Sequence, residues 1–253
     1  MNEQVDEFEF FLEKEWSDGF PVVTPTEERI ARMLTGTARD HDDVIGPIPP
    51  AMEVATVRSV AVHALMAGCR PEYLPVVIAA TELMLRGEFN VNGVQGTMHG
   101  VAPMMIVNGP YAADIGIHGG NGCLGPGFRA NATIGRAIRL ILMNLGAGIP
   151  GVSSMTIFGM PSRFTYCLTE NMEDHPWESL SVSKGYSGDE NVITMAMVES
   201  PRFCFDDVSD EPIRLMNGIA DTMVAMGSWN MHTRSDMVVA MGPQHAAICA
   251  NAG

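Results

Sequence analysis

Two cysteines stand where the backbone is expected to bend, and a bend can expose a thiol. Cys69 lies between two predicted helices, with Arg70 next in sequence and a helix start just behind it, and Cys123 lies in a glycine-rich loop. A cation or a helix N-terminus stabilises the thiolate, which is the reactive form of cysteine. The positions therefore predict Cys69 or Cys123 as a nucleophilic or redox thiol. A buried, inert cysteine is the alternative.

Four further side chains are candidates for proton transfer. Glu72 and Tyr73 lie in the turn that follows Cys69 and are predicted acid–base partners. His99 and His118 lie in glycine-rich segments, where an imidazole is a candidate general acid or base. A histidine that only packs within its loop is the alternative. The spacing of the seven histidines indicates no zinc site, so no metal ligand is predicted.

A glycine-rich loop, residues 116–127, leads into the clearest helical pattern of the chain, residues 131–145. Glycines let a backbone approach a ligand closely, and a helix N-terminus offers unpaired N–H groups to an anion. The candidate substrate-binding amides are Asn121 in this loop and Asn108 at the end of a predicted strand. The loop is not a dinucleotide fingerprint, because no clean strand precedes it and no acid follows about 20 residues on. A plain surface loop is the alternative.

Two arginines lie three residues apart on the helix predicted for residues 131–145. Arg136 and Arg139 therefore share one face of that helix. Paired guanidiniums suit a carboxylate or phosphate, so the two residues are a candidate anion clamp. Salt bridges to the chain's own acids are the alternative.

Charge and cysteine usage exclude several classes of protein. The 253 residues include 15 Lys and Arg against 30 Asp and Glu, a net charge of −15, which excludes a binder of the nucleic-acid backbone. The five cysteines are odd in number and widely spaced, which favours a reducing cytoplasm over a disulfide framework. The acidic N-terminus does not resemble a signal peptide, and no apolar run reaches the roughly 20 residues that span a bilayer. Neither a nucleic acid nor a membrane is therefore expected as a partner.

Helical and strand patterns alternate, which predicts an α/β fold: a mixed sheet with flanking helices, and glycine-rich loops that form the site. Helices are predicted at 3–16, 27–35, 56–66, 71–86, 131–145, 212–226 and 245–251, and strands at 102–107, 163–168, 191–199 and 237–241. Residues 37–52 are predicted to be a surface connection. We expect an N-terminal helical and extended segment (1–52) that is continuous, as one domain, with an α/β core (53–253).

Several stretches of the chain resemble a poorly characterised bacterial family whose members are often encoded beside small (seleno)proteins with a U-G-S-C motif. Those small proteins are themselves related to components of glycine/sarcosine/betaine reductase. The resemblance covers most of the chain and is carried by 16–29 (WSDGFPVVTPTEER), 66–77 (MAGCRPEYLPVV), 107–110 (VNGP), 134–137 (IGRA), 170–171 (EN) and 176–177 (PW).

The resemblance implies a subunit of a multi-subunit enzyme that acts on a small molecule by thiol or selenol chemistry. It assigns no catalytic residue. Because family members continue beyond the point where this chain stops, it also implies a partner, either a second protein chain or a C-terminal fragment of the same precursor. The apolar helix predicted at 245–251 would need such a partner to cover it.

Three functions remain open on the sequence, and no cofactor is indicated. The first is a thiol-dependent reductase- or lyase-like enzyme subunit that uses Cys69 or Cys123. The second is a cofactor-free lyase or hydrolase that uses acid–base and anion-binding groups, namely His99, His118, Glu72 and Arg136. The third is a non-catalytic subunit whose apolar, Met- and Gly-rich loops form a partner interface.

Overall fold

A computed structural model of the chain describes residues 6–224 and 237–252. The helices are α1 (Glu7–Leu12), α2 (Glu27–Leu34), α3 (Val57–Ala67), α4 (Leu74–Met84), α5 (Val91–Gly96), α6 (Pro110–Asp114), α7 (Arg129–Asn144), α8 (Leu180–Ser183), α9 (Pro212–Met223) and α10 (Pro243–Ala250). The strands are β1 (Val44–Ile48), β2 (Glu53–Thr56), β3 (Ala102–Asn108), β4 (Cys167–Leu168) and β5 (Val192–Val198). Short 3₁₀ turns lie at Pro71–Tyr73, Gly87–Phe89 and Pro161–Arg163.

A three-stranded mixed sheet confirms the predicted α/β class. Strand β3 is central, parallel to β4 on one side and antiparallel to β5 on the other. All seven residues of β3 are buried, as expected for an apolar run at the centre of a sheet. The antiparallel register runs from the pair Ala102 and Val198 to the pair Asn108 and Val192. The sheet therefore places Asn108 at the carboxyl end of its central strand.

Helix α7 joins the sheet to the N-terminal half of the chain. One of its faces is apolar, and Ile134, Ile138 and Ile141 are almost completely buried. This helix contacts α3, α4, β3 and β4. Gly135 lets it approach the segment before β4, since a Cβ at this position would lie 2.5 Å from the backbone nitrogen of Tyr166. The polar side chains of α7 are thereby held at a fixed depth.

The N-terminal segment shares its core with the rest of the chain. Val22, Ile30, Met33 and Ile48 belong to the same buried cluster as the inner faces of α3, α4 and α7. The helix predicted at 27–35 is confirmed as α2, and Thr26 caps it by accepting a hydrogen bond from the backbone N–H of Arg29. The buried core thus continues across residue 52, from the N-terminal segment into the rest of the chain.

Several predictions of local structure are wrong. Residues 37–52 are not only a connection, since β1 pairs antiparallel with β2, and Ile48 is fully buried despite neighbouring Gly and Pro. Residues 237–241 form no strand, because this apolar run has no described strand beside it and Val238 and Val239 are half exposed. Only the last two residues predicted as a strand at 163–168 pair in the sheet. Helix α7 begins at Arg129, two residues before the predicted start at 131.

Two predicted helix boundaries, at residues 3 and 226, lie outside the described residues. No helix in the described part of the chain is long and apolar enough to cross a membrane.

We expect Gly135→Ala to destabilise the chain by about 1–3 kcal/mol, because the added methyl group would collide with the backbone before β4. Gly96→Ala is the matched control, since Gly96 ends a helix and a Cβ there would meet nothing within 4 Å. That change should leave the free energy of unfolding within about 0.5 kcal/mol of wild type or raise it. Urea denaturation measures both values, and equal effects would contradict the close approach of α7.

Candidate functional site

Cys69 is a core residue, not an exposed thiol in a bend. Its side chain is 5% exposed, and burial raises its pKa to about 12. A hydrogen bond with Thr133 and the charges of Arg129 and Arg136 oppose this rise without overcoming it. The prediction of a stabilised thiolate at Cys69 is therefore wrong: α7 covers the bend, and the cation next in sequence is not among the groups that influence the thiol.

The remaining groups of the same bend are held by their packing. Tyr73 is buried, and the backbone carbonyl of Glu72 accepts a hydrogen bond of 2.6 Å from the hydroxyl of Tyr111. Burial also raises the pKa of the Tyr111 hydroxyl. The backbone carbonyl of Glu72 therefore joins this turn to Tyr111. The structure places no hydrogen bond between Cys69 and either Glu72 or Tyr73.

The glycine-rich loop is organised around one asparagine of α7. Asn131 accepts a hydrogen bond from the backbone N–H of His118 and donates to the carbonyls of His118 and Cys123. The His118 ring stacks on Phe128, with centroids 3.6 Å apart, and its Nε2 lies 3.1 Å from the carbonyl oxygen of Asn121. The loop thus brings His118, Asn121 and Cys123 together through its own internal contacts. Burial raises the pKa of the Cys123 thiol as well.

His99 pairs with an acid that the sequence did not single out. Its Nε2 is in contact with the carboxylate of Glu199, just beyond the end of β5, without the geometry of a regular hydrogen bond. Arg202 also approaches Glu199, at 3.6 Å. The segment around His99 lies along the chain that precedes β4, since the carbonyl of Met98 accepts a hydrogen bond from Ile157 N–H.

A polar cluster lies at the carboxyl ends of the parallel strands β3 and β4. Asn108 Nδ2 donates to Glu170 Oε2 at 2.6 Å, and the N–H of Leu180 donates to the same oxygen. The other carboxylate oxygen lies 3.3 Å from His175 Nε2. Asn108 Oδ1 is buried and has no hydrogen-bond partner among the described residues. Sequence reasoning selected Asn108 but missed Glu170 and His175, which only the pairing of β3 with β4 brings to it.

Arg136 is engaged in a buried ion pair. Its Nε and Nη2 donate to the two carboxylate oxygens of Asp18 at 2.8 and 2.7 Å, and Nη2 also reaches the carbonyls of Phe20 and Pro21. The Asp18 side chain is only 2% exposed. The salt bridge that was the alternative for this residue is therefore present, and it fastens the N-terminal segment to α7.

Arg139, one turn further along α7, has no such partner. Its Nε donates to the carbonyl of Arg163 at 2.9 Å, and no described carboxylate lies within 4 Å of its guanidinium. Burial, followed by the nearby charge of Arg163, lowers the pKa of Arg139 to about 9, and the charge of Asp18 partly offsets this. Arg136 and Arg139 thus do not form a joint clamp, because their guanidiniums meet different groups.

Arg139 also lines a cavity of about 840 Å³, within the usual range for small-molecule sites. We name it the arginine pocket. Arg163 also lines it and donates to Ser154 Oγ at 2.7 Å, while burial lowers the Arg163 pKa. Thr156 adds a hydroxyl that is buried without a partner. Its full lining comprises Glu15, Ser17, Asp18, Arg139, Met143, Gly148, Ile149, Pro150, Gly151, Ser154, Thr156, Ile157, Phe158, Gly159, Met160, Pro161, Arg163 and Phe164.

The arginine pocket is suited to bind an anion. A buried cation is costly unless it is paired, and buried Arg139 together with half-buried Arg163 leaves positive charge at this cavity for a ligand to neutralise. Of the residues predicted from the sequence, only Arg139 lines this pocket. Arg163, Ser154 and Thr156 were missed because they lie in a stretch broken by Gly and Pro that shows no periodic pattern.

A second cavity, of about 630 Å³, lies between α4 and β5, and its lining includes Arg86, Tyr111 and Tyr186. The glycine-rich loop at 116–127 lines neither cavity. Within the described ranges, no group of three or more His, Cys, Asp or Glu side chains is arranged to hold a metal ion.

Comparison of the chain with family models, with curated proteins and with solved structures gives no match. The resemblance to the bacterial family with U-G-S-C neighbours therefore stays a prediction.

Replacing each arginine of α7 by methionine should separate their roles. We expect Arg136→Met to lower the free energy of unfolding by about 3–5 kcal/mol, because it leaves the Asp18 carboxylate buried without its cation. Arg139→Met removes a buried charge that has no carboxylate partner. The free energy of unfolding of this variant should therefore lie within about 1 kcal/mol of the wild-type value or exceed it. Urea unfolding followed by circular dichroism gives both values. Similar losses in the two variants would mean that Arg139 is also paired.

Alkylation should distinguish the buried thiols. At about pH 8, iodoacetamide should modify Cys69 and Cys167 in the folded chain at least about a hundredfold more slowly than in chain unfolded by guanidinium chloride. Burial raises the pKa of both thiols, and the thiolate fraction falls about tenfold for each unit by which the pKa rises. Peptide mass spectrometry measures the rates, with half-buried Cys123 as the internal comparison. Rapid alkylation of Cys69 in the folded chain would restore it as a candidate nucleophile.

Proposed function

We propose that the chain is the subunit of a multi-subunit enzyme that binds a small anionic substrate, and that the arginine pocket is the substrate site. The observation that carries this proposal is the pair of Arg139 and Arg163, a buried and a half-buried guanidinium that line one cavity, neither of which forms an ion pair with a described carboxylate. Natural chains bury a charge when it is paired or when a ligand pairs it. A bound anion would supply the missing partner.

The site would contribute binding and charge stabilisation. Guanidiniums that the protein holds in fixed positions are effective where negative charge develops on an oxygen atom, because they need little reorganisation during the reaction. The environments of Cys69 and Cys123 favour protonated thiols. They therefore favour an enzyme that uses acid–base and anion-binding groups over a thiol-dependent enzyme. A reacting group would then come from the partner chain or from a carboxylate on the lining such as Glu15.

Exposed apolar surface around the arginine pocket supports the role of a subunit. Ile157 and Phe158 line the pocket and are strongly exposed, with Phe158 at 98%, and the nearby Val152 is also exposed. The accessible surface of the chain is 14581 Å², against about 10,900 Å² for a compact monomer of 27.3 kDa. Even if the 18 residues outside the described ranges were fully exposed, they would contribute only about 2,900 Å² of this difference. A partner chain seated on the rim would bury part of the remainder and close the cavity.

Anion binding can be tested by thermal unfolding at constant ionic strength. Acetate, hexanoate, benzoate and inorganic phosphate are each compared with chloride, and we expect at least one to raise the Tm of the wild type. A ligand at about a hundred times its Kd stabilises by about 2.7 kcal/mol, or roughly 5–10 °C for a chain of this size. Arg139→Met should abolish the rise, whereas the control Arg58→Met, at an exposed ion pair with Glu27, should retain it.

The effect should be present at neutral pH and weaken only at alkaline pH, because burial lowers the pKa of Arg139 while a bound anion stabilises its charged form. If no anion stabilises the wild type more than the Arg139→Met variant, the proposal fails.

A further inference from the structure

We infer that the ligand of the arginine pocket is a small monocarboxylic acid with an apolar substituent. This inference rests on the proposed function and specifies its substrate class.

The free hydrogen-bond donors of the arginine pocket match a carboxylate. The Nε of Arg139 is occupied by the carbonyl of Arg163, so the two terminal nitrogens, which lie side by side, are the free edge of this guanidinium. Such an edge donates two hydrogen bonds to the two oxygens of one carboxylate. Ser154 Oγ accepts from Arg163 and keeps its own proton to donate, and Thr156 Oγ1 has no described partner. Both hydroxyls can complete the contacts of a planar anionic group.

The charges around the arginine pocket favour a single negative charge over two. Arg139 and Arg163 contribute two positive charges, and the carboxylate of Asp18 is already neutralised by Arg136. Glu15 adds one negative charge to the lining, which leaves a net charge of about +1. A monoanion neutralises the site. A phosphate dianion or a dicarboxylate would carry a negative charge beyond the one that the site neutralises, and Glu15 would repel that charge.

The rest of the lining is apolar and fits a hydrocarbon substituent. Met143, Ile149 and Met160 line the pocket, and Ile157, Phe158 and Phe164 continue the apolar surface to its rim. A ligand that consists of a charged group alone would leave this surface in contact with water. Each methylene buried there adds affinity. The arrangement thus resembles other small-molecule sites, in which a few polar groups orient a ligand and apolar walls hold it.

Isothermal titration of the full chain with matched probes tests the inference. Hexanoate should bind at least about tenfold more tightly than acetate, because four more methylenes are buried. It should also bind at least about tenfold more tightly than hexanamide, which has the same chain without the charge. Inorganic phosphate and glutarate should bind more weakly than hexanoate.

Two variants separate the charged and the apolar parts of the arginine pocket. Arg139→Met should reduce hexanoate binding to the level of hexanamide. Ile157→Ser replaces an exposed apolar residue at the rim. It should lower the ratio of the hexanoate affinity to the acetate affinity, while acetate still binds.

The remaining outcomes distinguish the two proposals. If phosphate or glutarate binds as tightly as hexanoate, and this binding is lost in Arg139→Met, the anion site stands and the monocarboxylate inference is overturned. Equal binding of acetate and hexanoate also overturns the inference. If no probe binds the wild type, both proposals fail.

Discussion

One buried ion pair holds the two halves of the candidate site together. Arg136 donates hydrogen bonds to both carboxylate oxygens of Asp18 and to two backbone carbonyls of the same segment. The segment needs this anchor because α1, which precedes it, buries no residue. Asp18 and its neighbour Ser17 form one wall of the arginine pocket, and α7 supplies the opposite side through Arg139 and Met143. The cavity therefore exists because a charge on a helix has fixed an otherwise weakly held stretch of chain.

The same helix carries one satisfied and one unsatisfied guanidinium within a single turn. Arg136 lies over the N-terminal segment, where an acid meets it. Arg139 points toward a stretch that offers it only a carbonyl and a second arginine. Electrostatics inside a protein depend on which groups remain after folding, not on the excess of acids in the composition. A chain with 30 acidic residues thus leaves two of its 15 basic side chains at a cavity where neither forms an ion pair with a described carboxylate.

Periodic patterns predicted the architecture from the sequence, whereas the candidate site depends on contacts between distant residues. The strand at 102–107 and the helix at 27–35 could be predicted because both patterns are local. The environment of Cys69 could not, because Thr133 and the rest of α7 cover it from more than 60 residues away. Spacing placed Arg136 and Arg139 on one face but could not show which would find a carboxylate. Arg163 lies next to a proline turn and gave no signal at all.

Gly135 links the packing of the sheet to the chemistry of the pocket. It stands one residue before Arg136 and four before Arg139, at the point where α7 comes nearest to the chain before β4. The absence of one carbon atom there sets how deeply both guanidiniums lie. A side chain at this position would push α7 away from the chain before β4 and tilt the helix axis. It would thereby change the position of Arg139 without contacting the cavity. The position of Arg139 in the arginine pocket is therefore open to variation at a residue that does not line the pocket.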